Sequence, residues 1–526
     1  MTREQETNGT MIQYFEWHLP ANGQHWNKIA KEAEKLAKMG ITCVWIPPPT
    51  KGASGPNSVG YDVYDLWDLG EFKSKGSVRT KYGTKEELIN ACNALDSNGI
   101  QICADVVLNH RLGADDTEEF DAIMVDQNDR GQDVGGKEKI KAWTRFTFPA
   151  RGKKYSDLEF HWYHFTGIDY DAKNERAAVY RILGNGKYWS EDVDYENGNY
   201  DYLMGADVDY SHPEVVEDVT KWAVWLVKEL KLSGFRMDAL KHIDAGFIAE
   251  FLANVRKETG KDNFFTVGEY WKEGTQDLEG YLAKQDYKVS LFDVKLHYNF
   301  AAASQGGANY DMCKIMDGSL VQTNPMNAVT FVNNHDTQPG ESLESYIEPW
   351  FQPHAYALCL LRMQGYPCIF YGDLYGISGE NPVKPYAALP ISNMIRARKH
   401  FAWGEQNDYF DHPNTIGWVR LGNKHFDKSD LTPEDLKTEP DGGAAPQDLG
   451  PGLAVVLCAG GAGSKHMFVG LHHKGTEWLD IVYPGREHVV VIDDNGFGDF
   501  VADDGGMAAY TLREFAEPFR AAEAEL

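Results

Sequence analysis

The chain has 526 residues, too many for one compact hydrophobic core and enough for two to four domains. Its 79 acidic and 51 basic side chains leave a formal charge of −28, which argues against a nucleic-acid surface and against anionic membranes or substrates. Aromatic residues make up 13 % of the sequence, and flat apolar faces with polar edges, combined with that charge, suit a large neutral polar partner.

The chain opens Met1-Thr2-Arg3-Glu4-Gln5-Glu6-Thr7-Asn8, with no apolar run of signal-peptide type, and no later stretch is long enough to span a bilayer. The seven cysteines are scattered, odd in number and free of CxxC pairs. That pattern fits reduced thiols, so a cytoplasmic protein is expected, although a mature secreted chain with an added initiator Met would read identically.

Short apolar runs then recur in order: Met11–Glu16, Ile41–Ile46, Ile100–Leu108, Gly234–Ala239, Phe264–Glu269, Leu291–Val294, Ala328–Asn333 and Cys368–Gly372. Amphipathic stretches of helical length lie between them, among them Trp26–Met39, Lys85–Ser97, Pro213–Leu230, Ala245–Thr259 and Pro353–Met363. Eight strands interleaved with helices predict an α/β fold, a closed (β/α)₈ TIM barrel, with an open doubly wound sheet as the alternative. Two stretches break the rhythm. Residues 110–212 lack helical period and are too long for a loop, so they read as a domain inserted after the third strand. From residue 402 onward short strands such as Leu453–Cys458, His466–Leu471 and His488–Ile492 predict a C-terminal antiparallel β-sandwich, with an exposed excursion at Asp427–Gly452. The expected barrel is therefore residues 1–109 and 213–401, interrupted by 110–212 and followed by 402–526.

In such a barrel the active site forms where strands end. The third strand ends Asp105–His110, the fourth reads Gly234-Phe235-Arg236-Met237-Asp238-Ala239, the fifth ends in Glu269, and the seventh ends Asn333-Asn334-His335-Asp336. Alternation puts Arg236 and Asp238 on one face, where a fixed guanidinium keeps a carboxylate ionised, as a nucleophile requires. Glu269 is expected to face two like charges, which favours a protonated general acid. Paired carboxylates with aromatic walls are the equipment of glycoside hydrolysis.

These segments, Asp105–His110, Gly234–Asp238, Val267–Glu269 and Val332–Asp336, resemble the four signature regions of the α-amylase family of glycoside hydrolases. MIQYFEW at Met11–Trp17, GYDVYDLWDLGEF at Gly60–Phe72, GNYDYLM at Gly198–Met204 and GFRMDALKHI at Gly234–Ile243 are similar to its bacterial liquefying members. The resemblance implies Asp238 as nucleophile, Glu269 as acid/base and Asp336 as third carboxylate. It further implies that Arg236 orients Asp238, that His110 and His335 bond the sugar, that Tyr61 stacks on it, and that Lys241 and His242 contact the leaving-group side.

The same resemblance implies one structural calcium held by Asn109, Asp201, Asp207 and the His242 carbonyl, hard oxygens of the type calcium takes. The additional calcium–sodium cluster of close relatives is expected to be absent, because Thr166, Ser190 and Ser211 stand where its acids are expected. His161-Trp162-Tyr163-His164 lacks a third ligand and reads as surface, not zinc site. Trp478 reads as packing more than glycan contact. The expected activity is endo-hydrolysis of α-1,4-glucosidic bonds in an α-glucan such as starch or glycogen, by a monomer with no nucleic-acid or membrane partner. A glucanotransferase using the same covalent intermediate, and a non-catalytic glycan-binding or partner subunit, are the alternatives.

Overall fold

The computed structural model describes residues 8–422 and 450–522. Eight short strands build the barrel: β1 (Met11–Gln13), β2 (Cys43–Ile46), β3 (Gln101–Val106), β4 (Gly234–Met237), β5 (Phe265–Gly268), β6 (Ser290–Phe292), β7 (Ala328–Phe331) and β8 (Tyr366–Phe370). They form a closed barrel in sequential order, with β1 paired in parallel to β8. Nearly every strand residue is buried, as expected of a parallel sheet covered on both faces. All eight expected strands are present, and most end two or three residues earlier than their apolar runs. The residues just beyond the last ladder pairs carry the reactive groups, and the Asp238 and Glu269 N–H groups still donate to the neighbouring strands, to the Val106 and Met237 carbonyls.

By packing, the described chain divides into two compact units. The first comprises Leu19–Glu34 and Cys43–Phe292 and holds β2 to β6. Its longest helix, Pro213–Leu230, starts with proline at the first turn, where a missing N–H is harmless, and ends at Lys231 in the left-handed region. The helix buries Val215, Val219, Trp222, Leu226 and Leu230, a stripe at helical spacing, and the Trp222 indole N–H donates to the Leu66 carbonyl at 2.7 Å. The segment inserted after β3 forms a six-stranded antiparallel sheet. Its order is His110–Arg111, Ala206–Val208, Phe165–Asp171, Arg176–Ile182, Asp116–Met124, Glu138–Arg145.

The second unit holds β1, β7, β8 and the C-terminal strands. These strands form one six-stranded antiparallel sheet and the ribbon Gly463–Phe468 with Phe497–Ala502, which share a core of Trp478, Val456, Met467, Phe500 and Tyr510. Trp478 is fully buried there, so it packs and offers no glycan surface. The excursion expected at Asp427–Gly452 lies outside the described residues up to position 449. No helix among the described residues is long and apolar enough to cross a membrane. All seven cysteines are free thiols.

Candidate active site and metal site

In the first unit the C-terminal ends of β3, β4 and β5 converge on one guanidinium. Parallel register pairs Arg236 with Asp105 on one side and with Val267 on the other. Arg236 Nη1 donates to Asp105 Oδ1 at 2.9 Å and to Asp238 Oδ1 at 2.6 Å, while Nη2 donates to Glu269 Oε2 at 3.0 Å. Burial works against the charge on Arg236, but Asp105, Asp238 and Glu269 together raise its affinity for the proton well above the ordinary value. The guanidinium is thus a fixed cation between three acids. Asp105 also accepts from the Tyr61 hydroxyl at 2.8 Å and the Trp45 indole N–H at 3.1 Å. The guanidinium carbon sits 5.1 Å from the Trp45 ring and 5.8 Å from the Tyr61 ring, within cation–π range.

The loop after β4 aims the acid. Ala239 adopts φ 51°, ψ 41°, a left-handed conformation that costs a residue with a Cβ about 1 kcal/mol or more. This turn presents the Ala239 N–H to Glu269 Oε2 at 3.0 Å. Glu269 therefore does not face carboxylates alone, which corrects the expectation of an acid surrounded by like charge: one guanidinium serves both Asp238 and Glu269. A Cβ on Gly268 would lie 2.1 Å from Leu240 Cδ1, so a larger residue there would have to displace that buried side chain in the loop after β4. Lys241 Nζ donates to Glu196 at 3.0 Å and to the Trp271 carbonyl at 3.3 Å. His242 is buried with Nδ1 2.7 Å from the Tyr200 carbonyl, and burial followed by the neighbouring Lys241 pushes its pKa down to about 3, so the ring is neutral. His110, also buried, places Nε2 2.8 Å from the Tyr61 carbonyl and fixes the backbone of that aromatic residue.

In the second unit an Asx turn after β7 sets His335 and Asp336. Asn334 Oδ1 accepts from the N–H groups of Asp336 and Thr337, each at 2.9 Å. The Gln13 amide on β1 donates to His335 Nδ1 at 2.9 Å, which leaves the proton on Nε2, 3.3 Å from Asp336 Oδ2. Trp17 stacks on the His335 ring at 5.9 Å. Asn333 and the hydroxyls of Tyr346 and Tyr356 all donate to the buried Asp373, whose pKa burial pushes up to about 6.

The expected metal ligands lie together in the first unit. Asn109 Nδ2 donates to Asp207 Oδ1 at 3.1 Å, and the Thr166 hydroxyl donates to Asp207 Oδ2. Asp201 and Asp207 are buried and interact with each other, and neither has a Lys or Arg partner among the described residues. Burial pushes both carboxyls above the usual range, Asp201 to about 7; the Asp201 charge raises Asp207 further, and the nearby Asp209 charge adds to both. Two adjacent buried carboxylates with an amide oxygen form a hard-oxygen donor set, and a divalent cation would relieve their repulsion. The residues fit calcium.

The three hydroxyl residues at the expected cluster positions each donate to a neighbouring acid. Ser190 Oγ donates to Asp244 at 2.9 Å and Ser211 Oγ to Asp209 at 2.5 Å, with Thr166 on Asp207. Lys187 Nζ lies 2.6 Å from Asp209 Oδ2 and donates to the Phe165 carbonyl at 3.0 Å, placing an ammonium among these acids.

The reading of His161–His164 needs correction. His164 is buried, and folding brings His212 and Glu214 close enough to make three potential ligands within 4.8 Å. The His161 backbone N–H donates to His164 Nδ1 at 3.1 Å, so Nε2 bears the proton and donates to Glu214 at 2.7 Å. A metal-bound imidazole donates through its other nitrogen, whereas this one accepts there, so the group is a hydrogen-bonded dyad.

Asp105, Trp45, Gln13 and Lys187 were not singled out from sequence. For Asp105 a signal existed: it sits on β3 level with Arg236 on β4, and an acid level with a buried arginine on the next strand is its partner. The others depend on folds of the chain that spacing does not reveal.

A TIM barrel with strand-end carboxylates on a shared guanidinium defines a glycoside hydrolase type of protein. The family described as "Alpha amylase, catalytic domain" matches residues 7–429. Over 505 residues the chain is 48 % identical to a glucan 1,4-alpha-maltohexaosidase of Bacillus sp. (strain 707), covering 96 % of this chain and 92 % of that one. It is 46 % identical to an alpha-amylase of Bacillus licheniformis, covering 96 % and 94 %. It is 39 % identical to the cytoplasmic alpha-amylase of Escherichia coli (strain K12), covering 96 % and 99 %. The solved alpha-amylase of Geobacillus thermoleovorans, complexed with acarbose, has the same fold at TM-score 0.61 and 16 % identity, covering 97 % and 99 %. The chain belongs to the α-amylase family.

Proposed function

We propose that the protein hydrolyses internal α-1,4-glucosidic bonds of an α-glucan with retention of configuration. The observation that carries this is the guanidinium of Arg236 shared by Asp238 and Glu269 on adjacent strand ends. Two carboxyls bridged by one side chain favour the spacing of a retaining pair, about 5–5.5 Å, over the roughly 6.5–9.5 Å that leaves room for an attacking water.

Glu269 protonates the glycosidic oxygen while Asp238 attacks the anomeric carbon, so the C–O bond to the leaving chain breaks as the bond to Asp238 forms. Glu269, now a base, takes a proton from water, whose oxygen displaces Asp238 and regenerates both groups. Asp336 is the third carboxylate, favouring the positively charged transition state, and His335 bonds the sugar. Tyr61 stacks on the reacting ring, with its hydroxyl anchored on Asp105 and its backbone on His110. Lys241 and His242 serve the leaving-group side.

Calcium is proposed at Asn109, Asp201, Asp207 and the His242 carbonyl, where it would neutralise buried charge and brace the loop after β4. The domain limits 1–109 with 213–401, 110–212 and 402–526 are proposed on the same reading. The relatives from 39 % to 48 % identity are all glucan hydrolases by name, which supports hydrolysis over transfer. Free thiols at all seven cysteines and a relative described as cytoplasmic support a reducing compartment.

NMR of the first-formed anomer tests the mechanism. The α-anomer is expected from amylose; a β-anomer would sink the retaining assignment, and intact amylose would sink the activity.

A further inference from the structure

Beside Lys241, the first unit contains a cavity of about 190 Å³ between the Asp192–Glu196 loop and the helix Thr275–Lys284. Tyr195, Lys241, Asp277, Tyr281 and the Asp192–Lys284 pair contribute to its wall. Tyr195 is 72 % exposed yet held in place. Lys272 Nζ lies 4.4 Å from its ring centroid, and its hydroxyl donates to Asp277 Oδ1 at 3.2 Å. Lys272 is fixed in turn by Asp194 at 2.9 Å, which also accepts from Tyr270 at 2.6 Å. A ring braced on one face and at its edge, with most of its surface in solvent, is a preformed stacking surface.

Every charged group around the cavity is paired: Asp192 with Lys284, Glu196 with Lys241, and Asp194 and Asp277 with the one Lys272, which leaves a single net negative charge. No lysine is left over to hold an anion, and such a wall suits a neutral ligand that exchanges hydroxyl hydrogen bonds with side chains already held in position. Tyr281 adds a second indication, since its buried hydroxyl has no hydrogen-bond partner among the described residues. The position is also informative. The Asp194 N–H donates to the Lys241 carbonyl at 2.9 Å, and Lys272 follows Glu269 by three residues, so the cavity borders the leaving-group side.

We infer that this cavity is a glucosyl-binding pocket for the departing portion of the substrate chain, with Tyr195 as its stacking surface. It rests on the α-glucan reading above. The pocket favours binding modes in which two or more glucosyl units extend past the cleaved bond, and so biases where a chain is cut.

The test is a cleavage map of maltoheptaose labelled at its reducing end, for wild type, Tyr195→Ala, Tyr195→Phe and, as a control on an exposed ring elsewhere, Trp143→Ala. In Tyr195→Ala, cuts releasing two or more units from the labelled end should become rarer relative to cuts releasing one, by about tenfold, the size of a lost ring contact. Tyr195→Phe and Trp143→Ala should keep the wild-type map. An unchanged map in Tyr195→Ala, or an equal shift in Tyr195→Phe or Trp143→Ala, overturns the pocket while leaving the hydrolase reading intact. A wild type that leaves maltoheptaose whole overturns the α-glucan reading itself.

Discussion

Lys187 and Asp209 form a 2.6 Å ion pair in which each side chain is only 7 % exposed. Burial opposes ionisation of Asp209, yet Lys187 and Ser211 hold its carboxyl below the usual range. Replacing Lys187 by Met should strand a buried carboxylate and cost about 3–5 kcal/mol. Adding Asp209→Asn should recover most of that loss. Thermal midpoints of the two single variants and the double variant check this; additive losses would mean that the pair is not coupled.

Glu269→Gln should lower kcat by about 10²–10⁴-fold without loss of fold, because an amide cannot protonate the leaving oxygen. Gln can still accept the Ala239 N–H that positions the side chain. Steady-state kinetics beside circular dichroism decide the matter, and retained activity would place the acid elsewhere.

Asp105→Asn should act through position and not chemistry. Asp105 anchors Arg236, Tyr61 and Trp45 together, and a neutral amide with one acceptor oxygen cannot serve all three. Loss of buried partners should cost about 1–3 kcal/mol in stability. Loosening Arg236 should lower kcat, and releasing Tyr61 should raise KM, so both parameters should move. A change in stability alone would reduce Asp105 to a packing role.

Much of this was legible in the sequence, because apolar runs and amphipathic helices mark a (β/α)₈ chain whatever its tertiary contacts. The inserted sheet was legible too, but at a different period. Glu138–Arg145 buries Ile140, Ala142 and Thr144 and turns Lys139, Lys141 and Trp143 outward, a strict alternation that a search for helical period passes over. Pairs such as Lys187 with Asp209 or Gln13 with His335 were not legible, since 22 and 322 residues separate them and only the fold brings them together. The same is true of the shared guanidinium. Alternation predicts that Arg236 faces Asp238, but Glu269 is held by the same guanidinium and by the Ala239 N–H, in a left-handed turn unusual for a residue that is not glycine.

Calcium removal should lower the thermal midpoint, and added calcium should restore it. Occupancy at 100 times Kd contributes about 2.7 kcal/mol to stability. Metal analysis of the holoprotein should give one calcium per chain, and Asp201→Asn should abolish the response to chelator. A count near three would contradict the assignment of Thr166, Ser190 and Ser211 as non-ligands.

His354 should make stability depend on pH. It lies on the helix Gln352–Leu360, is 1 % exposed, and places Nε2 3.0 Å from the carbonyls of both Cys458 and Gly506. The carbonyls only accept, so the ring is neutral with its proton on Nε2. Burial pushes its pKa down from 6.5 to about 4. Between those values the unfolded chain binds a proton that the folded chain refuses, so stability is complete above about pH 6.5 and falls as pH drops toward 4. The full loss is about 3 kcal/mol at 1.36 kcal/mol per pH unit. His354→Gln keeps an N–H donor for the carbonyls and removes the titration. Its thermal midpoint should fall less steeply between pH 7 and pH 4.5 than that of the wild type, and parallel curves would show that His354 does not titrate in this range.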